Sequence, residues 1–264
     1  MISTELVSIT FRGLSPKEIV GLVSRAGLNG IEWGGDVHVP HGNKSAARKA
    51  LEMSTDSGIA TASYGSYYCA GESGNGGLEF DVVLETACEL GASVIRVWAG
   101  KKEWSDVGEN YRDEVIDDLW RIGAMAQCMD KKISLEFHSG TLTGTNESSF
   151  ELARRLKGAN VYFYWQPPVG KKDSYCAEGL SNLLPNITNV HVFHWLLGKG
   201  GIERQPLYRG KNSWMKYLEI LSSSMNRHFA MIEFVRDESP EQFLKDAAML
   251  KGWSIEAQFA HEGT

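Results

Sequence analysis

The sequence predicts an α/β fold, a single (β/α)8 TIM barrel that spans residues 1–264, from three observations. Short runs rich in β-branched and aromatic residues alternate eight times with amphipathic helical patterns. The 264 residues give 33 per unit when divided by eight, which is the size expected of a strand–helix repeat. No Pro-rich or low-complexity linker interrupts the series, so we expect one domain rather than two.

Four units form the first half of the predicted barrel. The first strand, at 6–13, leads to a helix that Ser15 caps, with Pro16 at its first position and Glu18 completing a capping box. Apolar residues then repeat at helical spacing, and Gly27 ends this helix. The next elements are strand 30–33, helix 44–58, strand 59–68, helix 78–91, strand 93–100 and helix 114–130.

The second half repeats the pattern in four more units. Its strands read "KISLEFHSG", "VYFYWQPP", "NVHVFHWL" and "HFAMIEFV", and they begin at residues 132, 161, 189 and 228. The matching helices are expected at 148–158, 175–186, 213–224 and 239–253. Eight parallel strands of this kind close into a barrel because closure leaves no sheet edge exposed.

A doubly wound open sheet is the alternative architecture, and the glycine pattern disfavours it. No strand is followed by G-x-G-x-x-G or G-x-x-x-x-G-K-[ST], the loops that bring backbone close to phosphate. We therefore expect no nucleotide cofactor.

Charge and hydropathy exclude other classes of partner. The net charge is -6 and no basic run forms, so nucleic acid is not an expected partner. The N-terminus has no basic region followed by an apolar one, and no stretch approaches the ~18 apolar residues of a membrane span. We expect a soluble cytoplasmic protein that does not act on membranes.

Polar side chains stand at or just after the end of nearly every predicted strand. The carboxyl ends of barrel strands gather on one face, where this fold carries its chemistry. Because Val, Ile and Leu normally fill a barrel, this pattern predicts a wet, ligand-binding mouth. The residues are Glu32, Asp36, His38, His41, Tyr64, Ser66, Arg96, Trp98, Glu136, His138, Gln166, His191, His194 and Glu233.

Two carboxylates in apolar strands, Glu136 and Glu233, favour a metal. An unpaired charge there costs roughly several kcal/mol unless a cation or a proton compensates it. With His191 close by, a divalent ion is favoured over simple ion pairing. On a strand His194 faces the opposite way from His191, so a structural role is equally consistent, and His38 is balanced between substrate contact and an ordinary loop histidine.

The order of "GLNGIEWGG", "LEFHSGTLTGT", "NVHVFHW" and "MIEF" resembles the xylose isomerase-like TIM barrel superfamily, in particular its sugar phosphate isomerase/epimerase branch. The resemblance runs over the whole chain. It implies a divalent metal ion (Mn, Mg, Co or Zn) held by Glu136, His191 and Glu233. The sixth-strand ligand in this superfamily is an Asp, and Gln166 stands there instead, which removes a charge and lowers the expected affinity.

The resemblance also implies an activity, a metal-dependent isomerase or epimerase acting on a sugar or sugar phosphate through an enediolate. In this interpretation Glu136 and Glu233 are the catalytic acid/base pair. The expected partner is a small-molecule sugar, and the chain can act alone or as a homo-oligomer. The expected substrate-binding residues are His38, Tyr64, Trp98, His138, His194 and Arg209.

Three other functions stay open at this point. A dehydratase acting on an inosose-type polyol ketone would use the same metal and carboxylates but expel water. A DNA-repair endonuclease needs more metal ligands and a basic face that this chain lacks. A barrel that has lost its sixth-strand carboxylate could also bind a sugar and catalyse nothing.

Overall fold

Eight parallel strands close into a barrel, as the sequence predicts, in a computed structural model that describes residues 1–262. Around the barrel the strands follow the order β1, β10, β7, β6, β5, β4, β3, β2. The strands are β1 (Ile2–Val7), β2 (Gly30–Gly34), β3 (Ala60–Cys69), β4 (Val94–Trp98), β5 (Lys132–Glu136), β6 (Val161–Trp165), β7 (Ile187–Val192), β8 (His194–Gly198), β9 (Gly201–Gln205) and β10 (His228–Ile232).

One α-helix follows each barrel strand and covers the outside of the barrel. The helices are α1 (Pro16–Ala26), α2 (Lys44–Asp56), α3 (Phe80–Glu89), α4 (Glu109–Cys128), α5 (Asn146–Arg155), α6 (Asp173–Leu183), α7 (Lys211–Ser222) and α8 (Pro240–Glu262). Among the described residues, no helix combines the length and the apolar character that crossing a membrane requires.

The predicted caps of α1 are present. The Ser15 hydroxyl accepts from the backbone N–H of Glu18, and the Glu18 carboxylate accepts from the backbone N–H of Ser15 at 2.7 Å. Gly27 ends the helix in the left-handed conformation, with φ of 64°. The first strand, however, lies at Ile2–Val7 rather than at 6–13, because residues 8–11 turn into a short 3₁₀ helix.

The seventh unit differs from the prediction by an inserted β-hairpin. The strand expected at 189–196 ends at Val192, and β8 then pairs with β9 in an antiparallel ribbon outside the barrel. Lys199 and Gly200 form the two-residue turn, and Gly201, with φ of 116°, follows it as the first residue of β9. The hairpin carries exposed apolar side chains, and Leu197 is 65% exposed. A strand can leave a barrel here because its new partner supplies the backbone hydrogen bonds.

Packing separates a large apolar layer from a mixed barrel interior. The main core lies between the strands and the helices. A second, small apolar cluster made by Val7, Ile9, Ala62, Tyr164 and Met231 joins strands across the barrel interior. Buried polar and charged side chains, which include Glu5, Glu32, Arg96, Ser134 and Asn189, occupy other inward-facing positions. The barrel interior therefore holds charged side chains that can contact a site at the carboxyl ends of the strands.

Candidate active site

Four side chains predicted from the strand ends meet at the mouth of the barrel. Glu136 ends β5, Gln166 follows β6, His191 is the fifth residue of β7, and Glu233 follows β10. Glu136, His191 and Glu233 are buried, and each offers one ligand atom within 4.8 Å of the others. The fold thus brings together side chains that are up to 97 positions apart in sequence (136 to 233).

Three oxygen atoms surround Nδ1 of His191. This nitrogen lies 3.0 Å from Oε1 of Gln166, 3.4 Å from Oε2 of Glu233 and 3.6 Å from Oε1 of Glu136. With metal–ligand bonds of about 2.1 Å, adjacent ligand atoms around a divalent ion lie about 3.0 to 3.4 Å apart. Nitrogen and oxygen donors also suit Mn, Mg, Co or Zn. The four residues therefore fit a divalent metal ion.

Gln166 takes its orientation from the residue that follows β5. Its amide N–H donates to the carbonyl oxygen of Phe137, so its Oε1 faces His191. The neighbouring Trp165 points the opposite way and packs on Trp214 and Tyr217 under the helices. The side chain that enters the mouth is therefore the amide and not the indole.

The other ring nitrogen of His191 faces a buried ion pair. Nε2 lies 3.9 Å from Oε1 of Glu32, which is too long for a hydrogen bond, and it has no hydrogen-bond partner among the described residues. Glu32 accepts from Nε of Arg96 at 2.9 Å and from the Ser63 hydroxyl at 2.8 Å. A fixed carboxylate behind the ring favours the presentation of Nδ1 toward the mouth.

Arg96 lies at the centre of this arrangement and is only 1% exposed. Its guanidinium pairs with Glu32 on one side and Glu136 on the other. Gly65 leaves the room, since a Cβ there would lie 2.7 Å from both Nη2 of Arg96 and Oε1 of Glu32. The Tyr67 ring lies 5.2 Å from the guanidinium carbon, and this residue has a left-handed φ of 56°.

The charges inside the cluster do not balance without a further cation or proton. Three carboxylates, Glu32, Glu136 and Glu233, face one guanidinium, which leaves two negative charges when His191 is neutral. A divalent ion would cancel them. Burial of these side chains makes this imbalance costly.

The pKa values show the same imbalance. Burial and the charge of Glu136 raise the pKa of Glu233 to about 7, against the opposing effect of His191. Burial alone would lower the pKa of His191, but Glu233 and the other carboxylates outweigh it and raise it. Burial would raise the pKa of Glu32, yet Arg96 overcomes this and lowers it to about 2. In the metal-free protein, a proton on Glu233 or His191 therefore relieves the excess negative charge.

A cavity of about 380 Å³ opens above the cluster. Its polar lining includes both glutamates and Gln166, with His138 and Lys171. Its walls are largely apolar and are formed by Phe137, Pro167, Pro168, Val169, Phe193, Trp195, Leu197, Ile202 and Phe234. An apolar wall with a few converging polar groups is typical of a small-molecule site.

Two of the predicted substrate-binding residues lie at this mouth. The Trp98 indole donates to Oε2 of Glu136 at 2.6 Å, and its ring packs against the His138 ring at 4.9 Å. His138 also lines the cavity. The His138 side chain is therefore placed to meet a ligand, whereas the Trp98 indole contacts Glu136 and does not itself line the cavity.

The other four predicted substrate-binding residues do not line the cavity. His38 is buried against the Ser8 hydroxyl and the Leu14 carbonyl, and the Tyr64 hydroxyl donates to Val39 O at 2.9 Å. The His194 ring packs on Gly210, and Arg209 donates to Gln205 on the exposed side of the hairpin. Their hydrogen bonds and packing lie elsewhere, and their role as ligand contacts stays a prediction.

Sequence reasoning assigned no role to two sets of residues that shape the site. Glu32 and Arg96 stand among the polar strand ends, and a buried Arg in "VIRVW" signals that carboxylate partners must lie across the barrel. The hairpin supplies Trp195, Leu197 and Ile202 to the cavity wall. The glycines in "LLGKGGIE" were the sequence signal that could have predicted this hairpin.

The fold and site together define a (β/α)8 barrel with a candidate metal centre at its mouth, and the chain is similar to solved xylose isomerase-like structures. A probable 3-DHS dehydratase from Bacillus anthracis is 18% identical with a TM-score of 0.79, covering 95% of this chain and 99% of that chain. An L-ribulose 3-epimerase is 14% identical with a TM-score of 0.72, covering 99% and 97%.

A xylose isomerase-like TIM barrel protein from Mycobacterium smegmatis, solved in complex with magnesium, is 13% identical with a TM-score of 0.71. The match covers 97% of each chain. No protein-family model and no curated protein matches this sequence. At these identities the similarity concerns the fold, and the predicted xylose isomerase-like resemblance is confirmed at that level.

Proposed function

We propose that this chain is a metal-dependent enzyme that moves a proton next to the carbonyl group of a sugar or sugar phosphate, in the isomerase/epimerase class. The observation that carries the proposal is the ring of three oxygens around Nδ1 of His191, at 3.0 to 3.6 Å. Glu136, Gln166, His191 and Glu233 would hold the ion. A divalent ion there supplies the charge that stabilises an enediolate.

The protein's own residues support this chemistry in three ways. Glu136 and Glu233 place carboxylates beside the ligand cavity, where one of them can receive the proton. Arg96, which is itself paired with Glu32, fixes the orientation of Glu136 from below. The apolar walls keep bulk water away from the reacting carbon, which strengthens electrostatic interactions within the cavity.

The cavity also suits a polyol. Aromatic rings of Phe193, Trp195 and Phe234 line one side and can pack on the C–H face of a sugar. His138 and Lys171 are available to its hydroxyl groups or to an anionic end.

A dehydratase of the same fold class is the second candidate. It begins with the same proton removal and differs only in the loss of a β-hydroxyl group as water. The structural neighbours include both a probable dehydratase and an epimerase, which is consistent with either chemistry on this fold.

Proton NMR in D₂O tests the proposal directly. The Mn²⁺- or Mg²⁺-loaded protein would be incubated with a broad panel of ketoses, aldoses, their phosphates and inososes. We expect metal-dependent loss of an α-proton signal from at least one compound. Absence of both deuterium incorporation and any product across the panel, with metal bound, would contradict an enzymatic role and favour a barrel that only binds sugar.

A further inference from the structure

The two glutamates at the cavity floor differ in which of their oxygen atoms are free. Glu136 and Glu233 are almost equally buried, at 4% and 5% exposure, and both line the cavity. Burial therefore does not distinguish them. Their hydrogen bonds do.

Both oxygen atoms of Glu136 are committed. Oε2 accepts from the Trp98 indole at 2.6 Å and from the Arg96 guanidinium. Oε1 faces Nδ1 of His191 at 3.6 Å, in the proposed metal shell. An oxygen with two strong donors has little lone-pair density left for a substrate C–H bond.

The two hydrogen bonds to Oε2 of Glu136 are rigid because their donors, Arg96 and Trp98, are themselves held in place. Arg96 also donates to Glu32 at 2.9 Å, and Glu32 accepts from Ser63. Trp98 is held by packing against Tyr67 and His138. Releasing Oε2 would leave Nη1 of the buried Arg96 and the indole N–H of Trp98 without their shared acceptor, which is costly.

No comparable hydrogen bonds hold the carboxylate of Glu233 within the described residues. Its Oε2 lies 3.4 Å from Nδ1 of His191, and within residues 1–262 neither of its carboxylate oxygens accepts a hydrogen bond from the protein. One oxygen can therefore hold the ion while the other faces the cavity. His138 also lines the cavity, but among the described residues it forms no ion pair with Glu136 or Glu233.

We infer that Glu233 alone transfers the substrate proton and that Glu136 is a fixed ligand, so that proton transfer occurs on one face of the substrate. This inference rests on the proposed function and deepens it. Epimerisation requires a second base on the opposite face, whereas a one-sided transfer gives isomerisation or dehydration.

The steps balance with one carboxylate. Glu233 takes the α-proton, the C–H electron pair forms the new C=C bond, and the carbonyl π pair moves onto oxygen. In isomerisation Glu233 returns the proton to the neighbouring carbon on the same face, while a proton passes from one oxygen to the other. In dehydration the electron pair on the oxygen re-forms the carbonyl group, the C=C bond moves to the β carbon as the β C–O bond breaks, and the proton on Glu233 leaves with the hydroxide as water.

The stereochemistry of the product tests this inference with the wild-type protein. The Mn²⁺-loaded enzyme would be incubated in D₂O with ketoses such as D-fructose and L-ribulose, with their phosphates and with inososes. An aldose or an unsaturated ketone as product, and no epimer, is the expected result, whether or not deuterium enters the product. An epimer as product would overturn one-sided transfer while leaving the proposed function intact. No product and no exchange with any compound would overturn both.

A pair of variants adds a second readout on the compound that is converted. Glu233→Gln, assayed at saturating Mn²⁺, should keep its metal through the amide oxygen and lose turnover by at least about a hundredfold. Glu219→Gln, an exposed position on α7, is the matched control and should keep wild-type turnover. Turnover of Glu233→Gln within tenfold of wild type, with metal bound, would contradict the assignment.

Discussion

Arg96 and Glu32 form an ion pair inside the barrel, with Nε and Oε1 2.9 Å apart and neither residue more than 1% exposed. Such a pair is sensitive to the loss of one partner, because the other charge is then left in a dry interior. Arg96 also contacts Glu136, so it links the barrel interior to the candidate metal site.

Loss of the guanidinium should destabilise the fold. We expect Arg96→Met to lower the free energy of unfolding by about 3–5 kcal/mol, because Glu32 and Glu136 lose their buried counter-charge. Urea denaturation, monitored by circular dichroism, measures this change in the free energy of unfolding.

A double-mutant cycle separates the ion pair from simple packing. The Glu32→Gln/Arg96→Met protein should be less destabilised than the sum of the single changes by about 1–3 kcal/mol. Arg48→Met, in the exposed pair with Glu89, should cost less than about 1 kcal/mol. Strict additivity in the buried pair would show that the two charges do not support one another.

Gly65→Ala tests the space that holds the same pair. The new Cβ would lie 2.7 Å from Arg96 and Glu32, so both must shift, and we expect a loss of about 1–3 kcal/mol. Gly21→Ala is the matched control, since no atom lies within 4 Å of its Cβ and it sits in α1. This change should stabilise the protein by about 0.5–1 kcal/mol. Equal effects at the two positions would argue against close packing at Gly65.

Glu5 should make stability depend on pH. Burial raises its pKa to about 8, opposed by a hydrogen bond from Ser3 and the charge of Arg227. The folded protein therefore holds this proton more tightly than the unfolded chain does. The contribution of Glu5 to stability is therefore greatest below its ordinary pKa of 4.5 and is lost as the pH rises to about 8.

The Glu5→Gln variant isolates that effect. Its amide imitates the protonated acid, so we expect its stability to exceed that of wild type above pH 8 by roughly 3–5 kcal/mol, from about 1.4 kcal/mol per pKa unit. Unfolding free energies between pH 5 and 9 provide the measurement. A wild-type minus variant difference that stays constant over this range would exclude a raised pKa at Glu5.

Gln166→Ala tests the amide that stands where the resemblance expects an Asp. Removing its oxygen from the ring around His191 should weaken Mn²⁺ binding about 10- to 100-fold, because one ligand atom and the orientation of the imidazole are lost. Isothermal titration calorimetry would measure the affinity. Gln127→Ala, at an exposed position near the end of α4, should bind Mn²⁺ like wild type. An unchanged affinity in Gln166→Ala would show that the amide of Gln166 is not a metal ligand.

Much of the fold could be predicted from the sequence because it follows from local patterns. Helical spacing after Ser15 and the capping box with Glu18 act over a few residues. The convergence of Glu136, His191 and Glu233 could also be predicted, since barrel strands end on one face.

Other features depend on contacts between distant strands. Arg96 and Glu136 are both visible as polar strand ends, but which carboxylate the guanidinium meets depends on the stagger of β4 against β5. The side of the strand on which Gln166 lies depends on a single residue of register. The hairpin that begins at His194 continues a strand-like run, so only its glycine turn marked a change of partner.

The metal content of the purified protein tests the central claim most directly. Elemental analysis would compare wild type with a Glu136→Gln/Glu233→Gln variant and with the exposed control Glu219→Gln, after incubation with excess Mn²⁺ and desalting. We predict about one divalent ion per chain in wild type and control, and less than a tenth of that in the double variant. Metal in none of the three, or equal metal in all three, would contradict a metal centre at the mouth of this barrel.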